Sequence, residues 1–140
     1  MYKAIIFDLD GTILNTLDDL FYSTNFALEK HNLKTRTYEE IRCFVGNGVR
    51  VLIEKAVGKE YQHLVEEVIT EFKNHYKDHS LDHIREYDGI KELLYELKRK
   101  GLKLAVVTNK FNLAAQSIIK DYFPGIFDVV LGETKELNRK

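Results

Sequence analysis

The sequence predicts an α/β protein, a parallel-sheet core interrupted early by an inserted block of helices. Three observations carry this reading. Short apolar runs without alternation at residues 3–7, 102–107 and 127–131 have the character of strands covered on both faces. Helical periodicities alternate with the last two runs, giving the order helix, strand, helix, strand. That order favours parallel strands joined by right-handed crossovers. Between the first run and this alternation, residues 15–81 read as helical almost throughout.

Each element has its own local reason. Lys3, Ala4, Ile5, Ile6 and Phe7 form the first strand, and Asp8-Leu9-Asp10-Gly11-Thr12 breaks it. Leu17, Leu20, Phe21, Thr24 and Leu28 share one helical face. Thr37-Tyr38-Glu39-Glu40 has capping-box spacing and opens a short helix ending near Gly46. Residues 49–57 make another. Residues 60–79 read as the longest helix, with Leu64, Val65, Val68, Phe72 and Tyr76 on its stripe. Residues 90–100 follow, with Ile90, Leu93, Leu94 and Leu97 in line, three basic residues in the last turn and Gly101 to close it. The second strand leads into Thr108-Asn109-Lys110. The next helix spans 112–122, with Asn112 as its cap and Leu113, Ala114 and Ile118 on one face. The third strand leads into Gly132. The expected division is a core of residues 1–14 and 82–140 around a helical domain of residues 15–81.

Composition narrows the function classes. The 140 residues are 44% hydrophobic and 31% charged, enough to bury a core. Lys plus Arg number 21 and Asp plus Glu 22, a net charge of -1, so no electrostatic case arises for a nucleic-acid partner. The single cysteine, Cys43, excludes an internal disulfide and multi-cysteine zinc sites, and its apolar surroundings predict a buried thiol. No apolar run reaches membrane-spanning length, and no signal-peptide pattern opens the chain. The expectation is a cytoplasmic protein without a membrane partner.

The chemistry concentrates where strands end. Asp8 and Asp10 sit at the carboxyl end of the first strand, Thr108 and Asn109 at that of the second, and Gly132 at that of the third. Ligands of open parallel sheets bind at that edge. Two neighbouring carboxylates repel, so a hard cation such as Mg²⁺ is their natural companion. A nucleophilic carboxylate, a metal, and a hydroxyl with backbone N–H groups are the parts needed to receive a phosphoryl group. Elsewhere, His75, His79 and His83 lack the carboxylate motif of a metal helix and read as a polar helix face.

Phe7-Asp8-Leu9-Asp10-Gly11-Thr12 resembles the first motif of the haloacid dehalogenase superfamily, and Val106-Val107-Thr108-Asn109 its second. The helical block matches that family's α-helical cap, inserted into a Rossmann-like core. Gly46-Asn47-Gly48 within it resembles phosphoglycolate phosphatases, and residues 127–132 resemble the third core strand. The resemblance implies a Mg²⁺-dependent phosphatase acting on a small phosphorylated metabolite, phosphoglycolate or similar. It implies that Asp8 is the nucleophile and Asp10 the acid/base. The Asp8 carboxylate and Asp10 carbonyl would hold Mg²⁺. Thr108 and Asn109 would bind phosphate, Gly11 would let the backbone approach it, and Asn47 would face the substrate, with Arg50 a weaker contact. A cap would exclude stray water and favour small substrates.

The family pattern then thins. No Gly-Asp dipeptide supplies its acidic fourth motif. Lys140 stands where its lysine motif begins and is read either as that lysine or as a solvated terminal one, with Lys110 as a weaker substitute. The expectation is therefore that these 140 residues need further chain, or a second copy, for full catalysis. A sugar-phosphate mutase of the same fold and a non-catalytic phosphate- or partner-binding relative are the alternatives.

Overall fold

The computed structural model describes residues 1–134. Along the chain run β1 (Ala4–Phe7), β2 (Leu14–Asn15), α1 (Leu17–Lys30), α2 (Tyr38–Phe44), α3 (Val49–Val57), a 3₁₀ segment (Lys59–Leu64) and α4 (Val65–His79). Then come β3 (Arg85–Glu86), α5 (Ile90–Arg99), β4 (Lys103–Phe111), α6 (Asn112–Tyr122) and β5 (Val129–Glu133). Two compact units result. One joins residues 1–15 to 85–140, and the other is residues 16–84.

The first unit is built on a three-stranded parallel sheet in the order β1-β4-β5. Ile5 pairs with Leu104 and Phe7 with Val106, while Ile6 pairs with Ala105 and Ala105 with Val129. The face carrying Leu104 and Val106 is buried, and α6 packs beside β4 and β5 with Ala115, Ile118 and Ile119 inward. Phe123 closes this core edge-to-face against Phe127. The runs predict cover on both faces. Among the described residues only one face has it, and Ile6, Val129 and Leu131 on the other are exposed. Their apolar character matches a two-sided strand, but α6 packs on the side of Leu104 and Val106.

Other differences are local. Leu93 and Leu113 are exposed, because the buried stripes run through Ile90 and Leu94 and through Ala115, Ile118 and Ile119. Asn112 is the first residue of α6 rather than its cap, since its side chain is engaged elsewhere. A short antiparallel pair, β2 with β3, joins Leu14 to Glu86 and Asn15 to Arg85. Two residues per strand are too few to leave a periodic trace.

The second unit holds its own apolar core. Leu28, Ile41, Ile53, Val68 and Phe72 are each fully or almost fully buried within one cluster. The longest predicted helix is broken, because the 3₁₀ segment precedes α4 and Tyr61 leaves helical geometry. Helix α2 starts as its spacing predicts. The Thr37 hydroxyl accepts from the Glu40 N–H at 3.2 Å and the Glu40 carboxylate accepts from the Thr37 N–H at 2.8 Å. That last bond holds the Glu40 carboxyl below its ordinary range. Cys43 is exposed, against expectation, because this short helix turns only Ile41 fully inward.

The histidines are more than a solvated face. His75 is half-buried, stacks on Phe26 at 4.2 Å and meets the buried Ser23 hydroxyl at 2.8 Å. His83 donates its backbone N–H to both oxygens of buried Asp19, and its ring Nδ1 lies 2.7 Å from one of them. No group of three or more His, Cys, Asp or Glu side chains among the described residues is placed to hold a metal.

Candidate active site

The site is assembled on the sheet unit by one pinned loop and one irregular strand end. Asp8 follows Phe7, the last residue of β1, and its carboxylate accepts from the Leu9 N–H at 2.8 Å. Leu9, Ile13 and Leu14 are fully buried and anchor the loop from below. The Leu9 carbonyl accepts from the N–H groups of Thr12 at 3.1 Å and Ile13 at 3.2 Å, and the Gly11 N–H donates to Leu14 at 2.9 Å. Gly11 has φ of +78°, with open space where a side chain would be. Its requirement for glycine is therefore conformational. This leaves Asp8 and Asp10 half-buried on a loop whose backbone is held at both ends.

Facing β1, β4 continues through Thr108 and Asn109 instead of ending before them. Its pairing with β5 is broken at this point. Val107 aligns with Leu131 and Phe111 with Glu133, so β4 advances four residues while β5 advances two. Thr108, Asn109 and Lys110 thus form a bulge at the carboxyl end of the sheet. Such irregularities re-aim side chains at a strand's rim. Thr108 is buried, and its Oγ1 accepts from the Lys110 N–H at 3.1 Å. An oxygen already accepting there directs its own proton elsewhere.

Gly132 keeps the bulge in place. A Cβ at this position would lie 2.5 Å from the Lys110 carbonyl oxygen and 2.6 Å from Asn112 Cα. The Gly132 N–H also donates to Asn112 Oδ1 at 2.9 Å, which is what occupies that side chain. The expected role of Gly132 was to end a strand. It lies inside β5, buried against the β4–α6 junction.

The contact least visible in the sequence is between Lys110 and Asp10. The lysine Nζ stands 3.1 Å from Asp10 Oδ1, with its side chain only 6% exposed. The sequence ranks Lys110 below Lys140 as the positive partner, because Lys140 occupies the motif position. Lys140 lies outside the described residues. Asn47 lies in the helical unit, exposed on the turn between Gly46 and Gly48, both at positive φ. Arg50, in the same unit, pairs with Glu66 at 2.7 Å.

Residues 5–140 match the family model of haloacid dehalogenase-like hydrolases. A phosphoglycolate phosphatase of Haemophilus influenzae is 38% identical, the match covering 94% of this chain and 62% of the relative. One from Aquifex aeolicus is 31% identical, covering 93% and 60%. A crystal structure from Lactobacillus delbrueckii subsp. bulgaricus, provisionally assigned as a phosphoglycolate phosphatase, superposes with a TM-score of 0.92 at 37% identity. It is matched over 99% of this chain and 68% of its own. The chain spans about three-fifths of the length of the curated relatives it matches. With its first motif on β1, its second on the β4 bulge and its fold shared, the chain belongs to the haloacid dehalogenase-like hydrolase family.

Proposed function

We propose that this chain carries the phosphoryl-transfer centre of a Mg²⁺-dependent phosphatase acting on a small phosphomonoester of the phosphoglycolate type. The observation that carries the reading is the Asp8–Asp10 loop beside the Thr108–Lys110 bulge, in a chain whose relatives bear that activity in their names. The donor chemistry suits the ion. Mg²⁺ is commonly held by one or two carboxylates together with waters and substrate phosphate oxygens, not by a full protein cage. The Asp8 carboxylate and the Asp10 carbonyl are its holders in this reading. When bound, the ion neutralises charge on the phosphoryl oxygens.

The residues then divide the work. An Asp8 oxygen attacks phosphorus as the P–O bond to the substrate alcohol breaks. Asp10 gives its proton to the leaving alkoxide, and the product is an aspartyl-phosphate with free alcohol. Asp10 next takes a proton from water, whose oxygen attacks phosphorus. The acyl-phosphate P–O bond breaks, releasing inorganic phosphate and restoring Asp8. The Thr108 hydroxyl and a backbone N–H near Asn109 hold the phosphoryl oxygens, and positive φ at Gly11 brings the loop backbone close.

In this reading the helical unit sets which substrates are accepted, and Asn47 is its candidate substrate-binding residue. Core and cap divide in this proposal near residues 15 and 82. A cytoplasmic setting suits such a substrate, and no helix among the described residues is long and apolar enough to cross a membrane. The test is release of inorganic phosphate from 2-phosphoglycolate and a panel of small phosphomonoesters. Turnover that requires both Mg²⁺ and Asp8 is expected. Transfer of the phosphoryl group back to product without phosphate release would replace the phosphatase reading with a mutase. Lack of any Mg²⁺-dependent reaction on the panel, both by these 140 residues and with the family's later motifs supplied by further chain, would overturn both.

A further inference from the structure

We propose that Asn112 is a positioning residue of the site. Its carboxamide takes the place of a ladder bond at the β4 bulge, and so fixes the conformation in which Thr108 and Asn109 meet a phosphoryl group. The inference rests on the phosphatase reading for what Thr108 and Asn109 bind. The ladder supplies the first reason. The Asp128 N–H donates to the Leu104 carbonyl at 2.8 Å, so by alternation Val130 and Gly132 also direct their backbone groups at β4. Val130 aligns with Val106, where the pairing is regular. Two residues on, beside the bulge, Gly132 meets a side chain instead of a strand. Its N–H donates to Asn112 Oδ1 at 2.9 Å. Gly132 is buried, and a buried N–H that loses its acceptor pays the full cost of leaving water.

The helix supplies the second reason. Asn112 opens α6, and an asparagine at a helix start is suited to accept from the helix's own N–H groups. Here its oxygen is given to β5. Gln116, one turn further along α6, donates to the Val130 carbonyl. Gln116 thus ties α6 to β5 where the ladder is regular, and Asn112 ties it where the ladder is broken. The third reason is space. Gly132 lies close enough to the backbone of Lys110 and Asn112 to exclude a Cβ, so a shift of β5 is passed directly to the bulge. Within the bulge the Lys110 N–H holds the Thr108 hydroxyl at 3.1 Å, so displacing the segment re-aims Thr108 with it.

The experiment follows backbone amides of the 140-residue chain by NMR while inorganic phosphate is titrated in the presence of Mg²⁺. It is run on the wild type, Asn112→Leu, Asn112→Asp and Gln116→Leu, with folding checked by circular dichroism. Leucine keeps the shape of the side chain and loses the acceptor, whereas aspartate keeps an oxygen there. Raised salt screens the charge that aspartate adds. Before phosphate is added, Asn112→Leu should shift the Lys110 and Gly132 amides and leave those of the helical unit in place. It should then bind phosphate about tenfold more weakly than the wild type, the equivalent of one lost hydrogen bond. Asn112→Asp and Gln116→Leu should stay close to the wild type. Wild-type phosphate affinity in a folded Asn112→Leu protein overturns the inference and leaves the phosphatase reading standing. An equal loss in Asn112→Asp or in Gln116→Leu overturns it too, since the cause would then be general loosening of α6 from β5. If the wild type binds no phosphate, the titration is repeated with the family's later motifs supplied by further chain. Absence of binding there as well counts against the phosphatase reading and removes the inference with it.

Discussion

The two units of this chain spend their apolar residues differently. Residues 16–84 gather theirs inward around α1, α3 and α4, so that Ile53, Val68 and Phe72 see no solvent. The sheet unit buries Leu104 and Val106 on one face but leaves Ile6, Val129 and Leu131 exposed on the other among the described residues. Its candidate site is a set of constrained polar groups. Asp8, Thr108 and Lys110 are tied to backbone or to one another at the carboxyl end of the strands. The helical unit is thus organised by packing, and the sheet unit by a polar edge laid on a half-covered scaffold. Substitutions in the two units should therefore register in different measurements.

The largest expected effect is chemical and confined to the sheet unit. Asp8→Asn keeps the shape of the side chain but removes the carboxylate proposed as the nucleophile. Turnover should fall about 10³-fold or more, with the thermal transition little changed. Phosphate release assays alongside melting curves check both halves. Retained turnover would move the nucleophile elsewhere.

The matching experiment in the helical unit acts through packing. Phe72 is fully buried and stacks on Tyr76 at 5.2 Å. Phe72→Ala should cost about 3–5 kcal/mol, the usual range for truncating a buried aromatic. Amide exchange should show the loss in residues 16–84 before it appears in the sheet. Equal loss in both units would mean that they unfold as one and would erase the contrast. Gly132→Ala is the smaller, reciprocal test. Its new Cβ would meet backbone atoms of Lys110 and Asn112 rather than flexible side-chain ends. The expected cost is about 1–3 kcal/mol, as for other overpacked sites, read by urea denaturation. A shift of the Lys110 resonances should accompany it.

Much of this architecture was legible because it rests on local signals. Apolar runs marked the three sheet strands, and Thr37 with Glu40 marked the start of α2 through a spacing that satisfies two helix-end donors. Helix α6 spans Asn112–Tyr122 as its periodicity predicts. The positions of Asp8, Thr108 and Gly132 along the chain were readable in the same way. Their mutual arrangement was not, since it depends on a register break between strands far apart in sequence. Nothing local marks Lys110 as a partner for Asp10, because a lysine after a strand is ordinarily solvated. Likewise Asn112 looks like a helix cap until β5 arrives to claim its side chain. Cys43 misled for a related reason, as an apolar neighbourhood in sequence does not decide which side of a two-turn helix faces inward.

The smallest expected effect belongs to a polar cluster of the helical unit, the Ser23–His75 pair. His75 sits between Phe26 and His79, at 4.2 Å from each ring, with the Ser23 hydroxyl on its Nδ1. Burial is the main cause holding its pKa below the ordinary histidine value, and the neighbouring His79 adds to it, while Asp82 and Asp78 pull the other way. The folded state therefore prefers neutral His75 more than the unfolded chain does. The unfolded chain takes up the proton first as pH falls, so the contribution is fully present above the unfolded value of 6.5 and is lost progressively below it. Because the ring is only partly buried, solvent screening keeps the loss small. Chemical denaturation at pH 7.5 and pH 5.5 should show the helical unit weakening at the lower value. His75→Gln keeps a hydrogen-bonding group near Ser23 but cannot charge, and it should flatten that part of the profile. A variant with the wild-type slope would place the pH dependence on other groups, such as the Glu40 carboxyl that Thr37 holds low. That group gives the same sign but in a more acidic window, so the two sources separate along the pH axis.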